Sequence, residues 1–219
     1  MLTYEQVTNS DAIKTYIIRA DESLAALGFT EHSFSHVIHV ARMAGYILEK
    51  MGYDARTVEL AKIAGYLHDI GNLVNRKDHS QSGAVMAWSI LNDLGCDPAE
   101  VATIVTAIGN HDEGTGVPVN AVAAALILAD KADVRWTRVR NKDISTFDIH
   151  DRVNYSVKKS ELIINEEKTT VTLNLTIDIA FCAVMDYFEI FMARMILCRK
   201  AAERLNLTFK LIINEQRLL

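Results

Sequence analysis

The stretch YLHDIGNLVNRKDHSQSGA occupies residues 66–84. It ends a run of good helix formers, AKIAGYLHDIG (61–71), and sets an imidazole and a carboxylate, His68 and Asp69, side by side where that helix should stop. Ala64 and Gly65, one turn earlier, are small enough to let a second backbone approach. Another histidine, His79, follows eleven positions on. A His-Asp dipeptide means little by itself. At the end of an apolar helix it gains meaning, provided that neighbouring helices deliver further polar groups to the same place.

The chain around it reads as helical. Ser10 or Asp11 can cap a helix with Ile13, Ile17, Leu24 and Leu27 on one face and Gly28 to end it. A second helix runs from about residue 33 to 50, with Val37, Val40, Ala41, Ala44 and Leu48 on one face and Gly52 just beyond. Asp54 caps a third, carrying Val58, Leu60, Ile63, Ala64 and Leu67 up to His68. A fourth covers about 80–94 and stops at Gly95. A fifth opens at Asp97-Pro98 and places Val101, Ile104, Val105 and Ile108 toward Gly109. After GNHDEGTGVP, a sixth is expected over about 120–140, apolar on all sides in its first half and therefore buried.

Near residue 155 the period changes from helical to two. Leu162, Ile164, Val171, Leu173, Leu175 and Ile177 alternate around a turn at Asn165-Glu166-Glu167-Lys168, the pattern of a β-hairpin. A long helix over about 179–205 and a third strand in LTFKLIIN (207–214) complete a β-β-α-β tail. The fold class expected is mainly α, a helical domain over 1–155 followed by a C-terminal β-β-α-β segment over 156–219.

Composition bounds the rest. The chain has 219 residues, half of them hydrophobic, with two prolines and ten glycines, which suits long helices rather than a many-turned β fold. The net charge of −5 and the lack of a Lys/Arg block give no nucleic-acid footprint, so no nucleic-acid polymer is expected as partner. Cys96, Cys182 and Cys198 are too few and scattered for a disulfide framework or a CxxC site. The N-terminus has no signal-like apolar stretch, and the longest apolar run, AVAAALILA (121–129), is too short to span a bilayer. A soluble, cytoplasmic protein without a membrane partner is expected.

His36, His68, Asp69, His79, His111 and Asp130 all sit in or beside expected helices. Imidazole and carboxylate suit divalent zinc, iron or manganese. Four histidines and two carboxylates exceed one tetrahedral ion and match two neighbouring ions sharing a carboxylate. Each residue also has an ordinary reading: a core histidine for His36, a solvated helix or loop position for His79 and His111, and an ion pair with Lys131 or Arg135 for Asp130. The joint pattern, more than any member, favours a metal site.

The order His36 (FSHVIHVARMA), His68-Asp69 (YLHDIG), His79 (HSQSGA), His111 (GNHDEG), Asp130 (LADKADV) resembles the HD-domain superfamily of metal-dependent phosphohydrolases over about residues 30–140. The resemblance implies a helical HD bundle in which His36, His68, Asp69 and Asp130 hold a first ion. It implies that His79 and His111 mark the two-metal branch, near the HD-GYP phosphodiesterases and the di-iron dinucleotide hydrolases. Asp69 would then bridge the ions, and a bridging hydroxide would attack phosphorus, with His68 and Asp69 as the catalytic pair. The cofactors implied are two divalent transition metals, iron or manganese.

Two departures matter. HDIGN replaces the HDIGK of the HD-GYP pattern, so Asn72 stands where relatives place a cationic phosphate contact. NHDEGTGVP is also a shortened echo of the longer DGxGYP loop, which argues against cyclic di-GMP. Phosphate would fall to Arg76, Lys77, Lys131 and the Arg135/Arg138/Arg140 cluster. His39 and His150 fall outside the pattern and read as structural; Asp186, Glu189 and Arg194 read as surface or interface charges. The expected function is metal-dependent hydrolysis of a small phosphoester or nucleotide. The alternatives are a catalytically reduced regulatory module that binds nucleotide or metal, and a di-iron oxygenase on the same ligand set. A homodimer through the C-terminal segment is a further expectation.

Overall fold

The computed structural model describes residues 1–218. Seven helices form its first part: α1 (Tyr4–Asn9), α2 (Asp11–Ala26), α3 (Phe34–Met51), α4 (Ala55–Leu67), α5 (His79–Asp93), α6 (Pro98–Gly109) and α7 (Ala121–Ala132). The expected caps at Ser10, Asp54 and Asp97 are in place, joined by Ser33 and Asn120. Each accepts a backbone N–H of the first turn of the helix that follows. The α3–α4 contact uses the small pair foreseen at its centre: a Cβ on Gly65 would lie 2.6 Å from Ala41 Cα. At the middle of the bundle is α7, buried from Val122 to Ala132 and packed by α3, α4, α6 and α9.

Three features depart from the sequence expectation. The helix expected to reach residue 140 stops at Ala132. There the guanidinium of buried Arg138 folds back to cap it, donating to the Asp133 carbonyl at 2.7 Å and to the Glu31 carbonyl at 2.9 Å. A further helix, α8 (Ile149–Ser156), precedes the first strand, with Asp148 as its N-cap. The long helix α9 (Val184–Arg204) starts five residues later than expected, because Asp178 and Asp186 side chains tie residues 178–183 into turns.

The sheet contains β1 (Val157–Ile164), β2 (Thr170–Ile177), β3 (Thr208–Ile213) and the two-residue β4 (Gln216–Arg217), in the order β1-β2-β3-β4. β1–β2 and β3–β4 are antiparallel; β2 and β3 are parallel, with α9 as the crossover between them. Val171, Leu173 and Leu175 share one buried face with Phe209, Leu211 and Ile213, which joins the same apolar cluster as the helices. β1 is an edge strand, and exposed Lys158 and Lys159 are residues that discourage strand addition there. Among the described residues, no helix is long and apolar enough to cross a membrane.

Candidate metal centre

Four helix ends meet beside α7, each bringing a histidine. Three use the same local device. His68 directly follows α4 and donates from Nδ1 to the carbonyl of Gly65, three residues earlier, at 2.8 Å. His79, the first residue of α5, does so to Arg76 at 3.1 Å, and His111, two residues past α6, to Ile108 at 2.6 Å. His36, in the first turn of α3, instead donates to a carboxylate, Asp133 Oδ2, at 2.7 Å. With each Nδ1 committed as donor, each neutral imidazole keeps a lone pair on Nε2.

Those lone pairs converge. His36 Nε2 and His68 Nε2 are 3.2 Å apart, and His79 Nε2 and His111 Nε2 are 3.1 Å apart. Two lone pairs facing each other at such distances need a cation or proton between them. Asp69 reaches both pairs: Oδ2 lies 3.5 Å from His36 and 3.3 Å from His68, and Oδ1 lies 3.4 Å from His79. Asp130 joins the first pair, with Oδ1 3.3 Å from His36 Nε2. Two overlapping groups, His36/His68/Asp130 and His68/Asp69/His111, hold donor atoms within 4.8 Å of one another. All six side chains are buried. Uncharged nitrogens and ionised oxygens in these positions fit one or more divalent ions.

The electrostatics agree with a cation-seeking centre. Burial pushes Asp69 and Asp130 toward protonation. Imidazole neighbours overcome it for Asp69, and Lys131 with His36 and His68 for Asp130, so both carboxyls are held well below their usual range. Burial likewise opposes a charge on His68, yet Asp69 and Asp130 push its pKa up to about 10, so a proton takes the place a metal would fill. His111, buried beside His68 and Lys131, is driven the other way and stays neutral.

Glycine makes the HDIG turn possible. After Asp69 the chain winds through a 3₁₀ turn (Ile70–Leu73), and a Cβ on Gly71 would collide with the His79 carbonyl. The bare backbone lets α5 lie against this turn, and His79 therefore faces Asp69. Asn72 is buried, and its amide donates to the Asp69 carbonyl at 2.9 Å and to Asp69 Oδ1 at 3.0 Å. It orients the shared carboxylate.

A cavity of about 390 Å³ opens over Asp69 and Asp130. Of the residues expected to meet phosphate, Arg76, Lys131 and Arg138 line it. Arg76 comes within 3.4 Å of His79 Nε2, and Lys131 Nζ lies 2.7 Å from Asp130 Oδ2. Lys77 is exposed and lies outside the lining. Arg135 is turned away, with its Nε 2.7 Å from Asp133 Oδ1 and an Nη donating to Ser35. A larger cleft of about 690 Å³ lies on that side, lined by Arg42, Arg135 and Trp136, and includes none of the six converging donors.

Sequence reading missed several neighbours of the centre. Asp133 backs His36; its spacing of three from Asp130 at the end of α7 was the available signal. His32 lines the cavity with Nε2 4.0 Å from Asp69 Oδ2, and its spacing of four from His36 was likewise visible. Arg194 and His150, the latter outside the histidine pattern of the sequence, complete the wall. For Arg194, on α9, no local pattern pointed inward; it had been read as a surface charge.

A buried histidine and aspartate set at converging helix ends defines a metal-binding helical domain. The HD domain family model matches residues 33–152, more than half of the chain, and the chain belongs to the HD superfamily of metal-dependent phosphohydrolases. It is therefore a protein of the hydrolase type built to bind divalent metal. Curated relatives carry the name Ribonuclease Y. That of Acetivibrio thermocellus is 35% identical over 119 residues, covering 54% of this chain and 21% of the relative. That of Sulfurimonas denitrificans is 33% identical over 97 residues, 44% of this chain and 18% of the relative. That of Bacillus subtilis is 26% identical over 119 residues, 54% and 21% respectively. The chain thus spans about a fifth of the length of these relatives.

Proposed function

We propose that this protein hydrolyses a small phosphoester or nucleotide at a centre of two divalent ions, iron or manganese. His36, His68, Asp69 and Asp130 would hold the first ion, and His79, His111 and Asp69 would hold the second. The observation that carries this reading is Asp69, whose two oxygens each face a different histidine pair. Bound there, the ions supply a nucleophile from water and take up charge on the phosphoryl oxygens.

The chain's own residues do the remainder. Asn72 holds the Asp69 carboxylate in its bridging orientation, and the four Nδ1–H bonds keep every Nε2 aimed at the centre. Arg76 and Lys131 offset the charge of the phosphate. Phe29 and Phe191 on the cavity wall exclude water around the reacting group.

A second reading draws on the relatives named Ribonuclease Y: the same centre would cleave an RNA phosphodiester. A cavity of about 390 Å³ suits the small ester.

Protein purified without added metal, then reconstituted with Mn²⁺ or Fe²⁺, should contain two equivalents by elemental analysis. It should hydrolyse members of a phosphoester panel in a way that Asp69→Ala abolishes. Less than one equivalent after reconstitution refutes the two-ion centre. Two equivalents with no hydrolysis but tight nucleotide binding would mark a regulatory module, and oxygen uptake with a polyol or phosphonate would mark an oxygenase.

A further inference from the structure

The cavity wall opposite the histidines does not come from the matched family region. Phe191 and Arg194 lie one turn apart on α9, in the C-terminal segment, and both line the cavity. The Arg194 guanidinium sits 4.5 Å from the centre of the Phe191 ring. Its Nε is 2.5 Å from Glu113 Oε1, which leaves the two terminal nitrogens of the fork without a carboxylate partner among the described residues. Glu113 comes from the loop between α6 and α7, and its other oxygen accepts from Lys131 Nζ at 3.1 Å. Lys131 is wedged between Glu113 and Asp130 and cannot leave them without stranding a buried carboxylate. Arg194, a quarter exposed, is the member of this cluster with donors to spare.

The cavity lining sets four cations, Arg76, Lys131, Arg138 and Arg194, against four carboxylates, Asp69, Asp130, Asp148 and Asp151. One Glu113 carboxylate serves two cations, and Arg76 has no carboxylate partner among the described residues. Arg138 spends its guanidinium mainly on two backbone carbonyls. With divalent ions on Asp69 and Asp130 the balance would turn positive, and Arg194 and Arg76 keep donors for an anion of more than one charge. A phosphomonoester carries close to two negative charges near neutrality, and an internal phosphodiester carries one. A guanidinium offering two parallel N–H groups matches the terminal oxygens of a phosphoryl group.

We infer that Arg194 reads the terminal phosphoryl group of a phosphomonoester, held in place by Glu113, so that the C-terminal segment selects monoesters over diesters. The inference rests on the hydrolase reading above and names the substrate class for it. Arg194 is a binding residue; Glu113 acts through it as a positioning residue.

The test compares wild type with Arg194→Gln, Arg194→Lys and Glu113→Ala, each checked for metal content, which should be unchanged because Arg194 and Glu113 touch none of the six donors. Two readouts are taken. One is calorimetric titration of the Mn²⁺-loaded and metal-free proteins with inorganic phosphate. The other is the ratio of kcat/KM for p-nitrophenyl phosphate to that for bis-p-nitrophenyl phosphate. Arg194→Gln should weaken phosphate binding about tenfold in both metal states, and should lower the monoester-to-diester ratio by a similar factor through KM. Arg194→Lys, which keeps the charge but loses the fork, should recover only part of it. Glu113→Ala should weaken phosphate binding severalfold.

An unchanged phosphate Kd and an unchanged ratio in folded Arg194→Gln overturn the inference. A Glu113→Ala variant that only melts earlier overturns the positioning role. If wild type hydrolyses neither ester, the hydrolase reading fails, and the phosphate titration still decides whether Arg194 holds the anion.

Discussion

The two halves of the histidine cluster are built differently. Around His36 and His68 the supports are charged and deep: Asp133 backs His36, Arg135 and Arg138 hold Asp133, and Asp130 is pinned by Lys131. Around His79 and His111 the supports are backbone carbonyls, neutral and local, and the guanidinium of Arg76 comes within 3.4 Å of His79 Nε2. A carboxylate behind an imidazole raises its basicity as a ligand, and a nearby guanidinium opposes an incoming cation. The comparison teaches that, on the two-ion reading, the two halves would bind metal unequally. The half with His36 should take metal first and release it last.

The largest effect expected is at the shared residue. Asp69→Ala should abolish binding at both halves and reduce hydrolysis about a thousandfold, whereas His111→Ala should remove one equivalent and spare the other. Stepwise metal titration with elemental analysis checks this; loss of both equivalents from His111→Ala would erase the distinction between the halves. Next, Asp133→Asn should weaken the tighter site by about 10- to 100-fold. Competition with a chelator of known affinity measures it, and an unchanged tight site would mean that the charged backing is irrelevant. Third, Gly71→Ala should push α5 off the 3₁₀ turn, cost about 1–3 kcal/mol in denaturant unfolding, and loosen the weaker site before the tighter one.

The smallest effect lies away from the centre and serves as its control. Glu100 is held below its ordinary 4.5 by hydrogen bonds and charge from Arg56, with burial working the other way. Its contribution is present above pH 4.5 and is lost as pH falls through the lowered folded value. Glu100→Gln should therefore shallow the acid limb of the stability curve by at most about 1 kcal/mol, with metal binding unchanged.

What could be read from the sequence follows the range of each interaction. Caps such as Asp54 and Asp97 act on the next turn of chain, so the helix starts were legible. The hairpin was legible because its burial alternates and Asn165 to Lys168 supply the turn. The six donors could be listed from their order alone, and the structure brings all six together. What was not legible depends on distant partners. α7 stops early because Arg138 returns to cap it against Glu31. Arg135 is drawn from the cavity by Asp133. Arg194 faces inward only because α9 lies between two parallel strands.

That crossover has a further consequence. Parallel pairing of β2 with β3 joins strands separated by the whole of α9, a contact distant in sequence and therefore slow to form. Until the last few residues pair beside β2, nothing in the sheet anchors the end of α9. Assembly of the protein should thus have an order, in which the histidine-bearing helices gather early and the cavity is closed on its far side last. A chain shortened before Thr208 would keep every metal donor and the packing of α9 on α7, yet lose the strand that holds the helix's far end.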